Sequence, residues 1–291
     1  MALRLFVVVI VLLLLSMVPH LPKWRRLEWF DQWVGHLSDS SGAARVLVCV
    51  LPPLAACALI AFILSRTPYL AVLWVVFAAA VLAYSFGPRE LEADIDAVLA
   101  APDAASRHDA AQALRPGIDD EPLPMLAPAW VEATVVSALW RRFGVLFWFL
   151  LAGPTGAIGY RLVQLLAAGQ PATRLDAATR AAARRTLEVL DWLPSHLMVF
   201  AMALVSDFDA VVQAWRAWHR EPGRAARPFE AGFLGAVARA GVDADVEAGD
   251  GYAEDTSDPA GELTDTRHLL TRVLMVWLAV TALLVLADWI I

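Results

Sequence analysis

Six long apolar runs limit what this chain can become: Leu3–Val18, Val46–Ser65, Tyr69–Phe86, Phe143–Tyr160, Leu187–Val205 and Leu269–Ile291. A helix that crosses a bilayer needs about 20 mostly apolar residues, and several of these runs approach that length. Inside lipid the backbone must satisfy its own hydrogen bonds, which a helix does within one segment. Hydrophobic residues make up 59% of the chain and charged residues only 18%, against about a quarter charged in an ordinary soluble chain. Many of the twelve Trp stand at run ends, where indole rings prefer the membrane interface. The predicted fold class is all-α: a single polytopic membrane domain over residues 1–291, with about four to six membrane-embedded helices.

Several function classes drop out early. The net charge is −7 and no basic stripe with interleaved aromatics appears, so no nucleic-acid partner is assigned. Cys49 and Cys57 lie in one apolar run and are too far apart on a helix to bridge each other. They read as thiols within a span. His20, His36, His108, His196, His219 and His268 are scattered and form no zinc-type ligand set. Phosphate-loop, dinucleotide-binding, nucleophile-elbow and zincin motifs are all missing from the sequence. No catalytic residue, metal or cofactor is assigned. The first run lacks a small-residue cleavage site after it and reads as an uncleaved span.

Between the runs the pattern changes. Runs two and three are separated only by Arg66-Thr67-Pro68 and predict an antiparallel hairpin, despite Pro52 and Pro53 within run two. Leu91, Ile95, Val98 and Leu99 form one helical stripe, and the proline-rich stretch Pro116–Pro128 reads as a loop. Run four carries Gly153-Pro154-Thr155-Gly156, which predicts a kinked or broken helix. Residues 206–220 alternate Phe208, Val211, Val212, Trp215 and Trp218 with polar groups, as an interfacial amphipathic helix does. Residues 241–265 are acidic and poor in large apolar groups, and predict a flexible, disordered acidic loop.

Positive charge sets the expected orientation. Lys23, Arg25, Arg26 and Arg45 follow run one, Arg4 alone precedes it, and Arg66 alone lies between runs two and three. The inside-positive bias then puts the N-terminus outside and the 20–45 loop in the cytoplasm. If all six runs cross, Arg174, Arg180, Arg184 and Arg185 fall on the wrong side. Re-entrant or half-spanning fourth and fifth runs would return them to the cytoplasm.

The block Phe147–Arg161 is the most distinctive stretch. Gly153, Pro154 and Gly156 let backbone approach a helix or a ligand, and Tyr160 and Arg161 offer a hydroxyl and a fixed cation to an anionic group. Asp191 and Trp192 lie near the start of run five, and an ionisable residue at a span edge is a site candidate. The competing reading is helix packing for the glycines and a helix-start carboxylate for Asp191. Asp119-Asp120-Glu121 resembles a divalent-metal patch but reads as a solvated loop.

The segments LFWFLLAGPTGAIGYRL, beginning at Leu146, and LEVLDWLPSHLMVFAMAL, beginning at Leu187, resemble the AmpE family of membrane proteins and, more distantly, the CobD/CbiB cobalamin-biosynthesis proteins. The specific motifs span Trp140 to Trp215; elsewhere the likeness is one of length and hydropathy. The AmpE resemblance implies a multi-pass protein of the bacterial inner membrane, regulatory rather than catalytic. It would be linked to β-lactamase induction and the response to β-lactam antibiotics. Its implied partners are the lipid bilayer and either a small anionic ligand or a membrane or cell-wall-recycling protein. Gly153, Pro154, Gly156, Tyr160, Arg161, Asp191 and Trp192 are the implied ligand-binding residues, in one pocket with Arg161 paired to Asp191. The ligases of the wider group carry a pattern like E-S-x-A-E-N-x-x-D upstream of this block. Laid on this chain without gaps, it begins at Glu132, its Glu-Asn falls on Val136 and Ser137, and its Asp falls on Trp140. Their N-T-L-D-like pattern beyond the Tyr-Arg puts its polar ends on Gln164 and Ala167. An ATP-dependent ligase needs carboxylates and amides to hold magnesium and polyphosphate, which argues against that activity. An amide ligase on a cobinamide-type substrate and a small-molecule transporter are the alternatives, although no internal repeat supports transport.

Overall fold

The computed structural model describes residues 2–17, 27–37, 40–66, 68–87, 90–115, 117, 122–221, 231–247 and 258–290. Along the chain the helices are α1 (Ala2–Met17), α2 (Glu28–His36), α3 (Gly42–Arg66), α4 (Ala71–Ser85), α5 (Leu91–Leu99), α6 (Ala104–Ala111), α7 (Ala127–Ala138), α8 (Gly144–Ala152), α9 (Pro154–Ala168), α10 (Ala177–Val205), α11 (Phe208–Arg220), α12 (Phe233–Glu247) and α13 (Pro259–Ile290). No strand occurs among the described residues. A π-turn, Leu139–Phe143, joins α7 to α8, so helix runs from Ala127 to Ala152.

Among the described residues, four helical stretches are long and apolar enough to cross a membrane: Gly42–Arg66, Ala127–Ala152, Ala177–Val205 and Pro259–Ala287. Leu47, Leu51, Leu59 and Ile63 of α3 are exposed, as are Val280, Leu283, Leu284 and Leu286 of α13. Apolar surface of this extent is incompatible with water and fits lipid. The all-α polytopic membrane class read from the sequence therefore stands. Pro52 and Pro53 leave α3 a continuous helix.

The chain divides into two compact units, the first comprising residues 1–90, 144–190 and 282–291, the second 91–143 and 191–281. In the first unit, one end gathers the start of α1, the α3–α4 connection and the start of α9. Arg4 donates to the Leu150 and Leu151 carbonyls at 2.9 and 2.7 Å, closing the C-terminus of α8 with a cation, as the helix dipole favours. The other end gathers α2, the start of α3, the end of α4 and the start of α10. Arg174 pairs with Asp31 at 2.8 Å, Trp29 Nε1 donates to the Tyr84 hydroxyl at 3.0 Å, and the Gly42 amide donates to Thr179 Oγ1 at 2.8 Å. Since α3 has 25 residues, the two ends lie about 37 Å apart at 1.5 Å per residue.

The second unit packs α7 against α12, and α11 against α12. Trp130, Phe143 and Phe233 are fully buried in its core. Trp130 Nε1 donates to the Pro124 carbonyl at 3.1 Å, which satisfies the one polar atom of that ring. Arg141 is held by Asp94 at 2.6 Å and by the Ala113 carbonyl at 2.8 Å.

The break expected in run four, Phe143–Tyr160, is present: the run is α8 and the first half of α9, because Gly153 ends the first helix. One reading changes in detail. The acidic stretch 241–265 is helical at both ends, in α12 and α13. Val242 and Leu263 are buried there and supply the apolar anchors that the charge count obscured. Residues 248–257, together with Lys23, Arg25, Arg26 and the Asp119–Glu121 patch, lie outside the described residues.

Candidate functional site

The α8–α9 hairpin of the first unit is built by glycines. Gly153 adopts φ 69°, the left-handed region in which L side chains are strained. Its amide closes α8 on the Phe149 carbonyl at 2.7 Å. Pro154 then opens α9 with its fixed φ and no surplus donor. A β-carbon on Gly156 would collide with the Trp148 carbonyl oxygen, so the two helices touch backbone to backbone. The chain thus reverses direction at Gly153 and α9 returns along α8.

Tyr160 and Arg161 lie farther down α9. Tyr160 is buried with its ring pressed against Gly144, where any β-carbon would overlap the phenol. The Arg161 side chain is buried too, only 8% exposed. Its Nη1 donates to Gln164 Oε1 one helical turn on, and its guanidinium lies over Gly87 where a side chain would stand. Gly87 itself has φ 82°, so both its conformation and its missing side chain serve this contact. A buried guanidinium costs several kcal/mol unless its donors are met, and Gln164 meets one of them.

At the Gly153 end, a cavity of about 430 Å³ is lined by Arg4, Phe62, Ser65, Trp74, Gly153 and Pro154, among others. Pro154 and Arg161 are seven residues apart, or about 10 Å along the helix. Gly153 and Pro154 therefore belong to the cavity wall, and Tyr160 and Arg161 to the packed layer against Gly144 and Gly87.

In the second unit, Asp191 is only 3% exposed and accepts a hydrogen bond from Trp140 Nε1 at 2.8 Å. Trp140 lies in the π-turn, the type of helical irregularity common at functional sites. Trp192, next to Asp191, is 42% exposed and packs on the His196 ring at 4.8 Å. One residue along a helix turns the side chain by about 100°, so Asp191 faces the interior and Trp192 the surface. Ser137 is fully buried, while Glu132 is exposed and lays its stem against Gly235. No group of three or more His, Cys, Asp or Glu able to hold a metal occurs among the described residues.

Gly87, Gly144, Gln164 and Trp140 were not foreseen as site residues. Gly87 directly follows an apolar run and Gly144 lies inside one; only Gln164, an amide three residues after a membrane arginine, carries a usable signal.

An all-α membrane scaffold with a glycine-broken helix hairpin and a buried arginine defines the class of protein. The particular family follows from sequence comparison: the family model described as CobD/Cbib protein matches residues 8–285, and the chain belongs to the CobD/CbiB family. No curated protein and no solved structure matches it.

Proposed function

We propose that this chain is a regulatory, non-ligase member of the CobD/CbiB family, of the AmpE kind, acting in the bacterial inner membrane in β-lactamase induction. One observation carries the non-ligase reading. The position where the family's ligases are expected to carry an aspartate holds Trp140, and its indole donates to the buried Asp191. A neutral donor thus takes up a carboxylate that magnesium would otherwise need. Val136 and Ser137, in place of a Glu-Asn pair, point the same way. The link to β-lactam response rests on the likeness of the Leu146–Leu162 and Leu187–Leu204 segments to AmpE.

In this reading Arg161 is the residue that recognises a small anionic ligand, with Tyr160 and Gln164 fixing its direction; Gly153, Pro154 and Gly156 shape the hairpin that carries it. Asp191 and Trp192 are proposed as a second polar element of the same function. The lipid bilayer is the solvent, and a membrane or cell-wall-recycling protein is the proposed partner. The family match itself favours a second reading, ligation on a cobinamide-type substrate.

Deleting the gene and complementing it with the native chain or Arg161→Ala separates the two. The regulatory reading expects lost β-lactamase induction by a β-lactam, restored only by the native chain. Restoration of cobalamin synthesis in a ligase-deficient strain, with unchanged induction, would refute it.

A further inference from the structure

At the α2 end of the first unit, a groove of about 830 Å³ runs between the start of α3 and the start of α10, its walls including Ala43, Ala178, Ala182, Arg184, Arg185 and Glu188. Its position is fixed from beneath. Thr179 is fully buried and receives the Gly42 amide at 2.8 Å, while Asp176 holds Arg45 at 3.5 Å. These contacts set the first turn of α3 against the first turn of α10. The floor is alanine, so its breadth comes from small side chains on a supported backbone.

Arg184 and Arg185 stand exposed at the rim, and neither has a hydrogen-bond or ion-pair partner among the described residues. Elsewhere in this unit the arginines that face protein are tied down, as Arg45 and Arg174 are to Asp176 and Asp31. Among the described residues of the rim, Glu188 is the one carboxylate and the two arginines outnumber it. Ala178, Ala182, Arg185 and Val189 share one face of α10, being spaced by three and four residues.

Depth in the membrane identifies the occupant. Val189 is exposed four residues beyond Arg185, and Leu47 is exposed four residues beyond Ala43. On both walls exposed apolar surface therefore begins about 6 Å, one helical turn, beyond Ala43 and Arg185, with Val189 itself part of the groove wall. That distance separates a phosphate from the first acyl carbons. We propose that the groove seats an anionic phospholipid, with its headgroup phosphate between Arg184 and Arg185 and one acyl chain running from the alanine floor towards Leu47 and Val189. The shape and charge fit a phosphodiester carrying a hydrocarbon tail. A zwitterionic lipid would bring its ammonium towards two exposed guanidinium groups.

The test uses the full-length protein in nanodiscs of phosphatidylcholine with a minority of phosphatidylglycerol, then native mass spectrometry of the released protein. The native chain is expected to retain phosphatidylglycerol over phosphatidylcholine by about fivefold for each arginine. The R184Q/R185Q variant should bring the two lipids to parity, and Ala182→Leu, which fills the floor, should lower retention of both. Arg66→Gln, at the opposite end of α3, should change nothing. Both arginines are exposed, and circular dichroism of each variant checks that it is folded. Equal retention of both lipids by the native chain, an undiminished preference in R184Q/R185Q, or full retention by Ala182→Leu would overturn the proposal. So would displacement of phosphatidylglycerol by inorganic phosphate, which would make this a free-anion site.

Discussion

Gly87→Ala and Gly42→Ala form a matched pair that isolates the contact between Gly87 and Arg161. Both glycines have positive φ, 82° and 64°, so both substitutions bear the left-handed strain of about 1–2 kcal/mol. They differ in what the new methyl meets: nothing lies within 4 Å at Gly42, whereas at Gly87 it falls on the Arg161 guanidinium. That group must move, and its bond to Gln164 weakens or breaks. A hydrogen bond to a charged group contributes about 1.5–3 kcal/mol. The expected difference between the variants is thus about 2 kcal/mol, or a further 4–8 °C of melting temperature at about 2–4 °C per kcal/mol. Thermal unfolding in detergent, followed by tryptophan fluorescence, measures it. In an Arg161→Ala background the two glycine variants should become equal, because the clash is gone and only strain remains. Equal destabilisation with Arg161 present, or a larger loss for Gly42→Ala, would refute the argument.

Trp140→Phe removes the indole donor to buried Asp191 and should lower stability by about 1–3 kcal/mol; adding Asp191→Asn should recover part of the loss in the same melting assay. The Thr179 hydroxyl and amide hold the Asp176 carboxyl below the usual carboxylate range. A depressed folded value gives stability that is present above the unfolded pKa of about 4 and lost as pH falls through the folded value. Thr179→Val should therefore be less stable at neutral pH and show a flatter acid dependence of melting temperature, and an acid slope matching the native chain would count against it. In a cysteine-free background, single cysteines at Thr155 and Arg174 should label from opposite faces of the membrane, with labelling of both from one face contradicting the hairpin.

The fold class was legible because apolar runs of span length have few alternatives in lipid. The Gly153 break was legible as well, since Gly-Pro ends one helix and starts another wherever it falls. The site was legible only along one helix. Arg161 stood out as a cation in an apolar run, but nothing local marks Gly87 or Gly144 as its layer, because each acts through an absent side chain opposite a residue distant in sequence. The acidic stretch misled for a related reason. Charge density governs solubility, whereas a few anchors such as Val242 and Leu263 suffice to order the ends of a segment whose neighbours are already helical.

The misplaced arginines find their resolution in the same hairpin. Counting run four as one crossing puts Arg174–Arg185 opposite Arg45, against the inside-positive bias. In the structure that run is α8 followed by α9 with the reversal at Gly153, and α9 carries the chain back to the α2 end. The Arg174–Asp31 and Arg45–Asp176 pairs then place both basic groups at one end of the first unit. Arg4 and Arg66 occupy the other end, the first engaged with α8 carbonyls and the second over the Phe62 ring at 4.7 Å. Charge alone could not distinguish a re-entrant pair from a full return. Gly153 and Gly156 allow the reversal to occur where the backbones of α8 and α9 touch. The reversal therefore brings Arg161 to the layer of Gly87, towards the end of the first unit that carries Arg45 and Arg174.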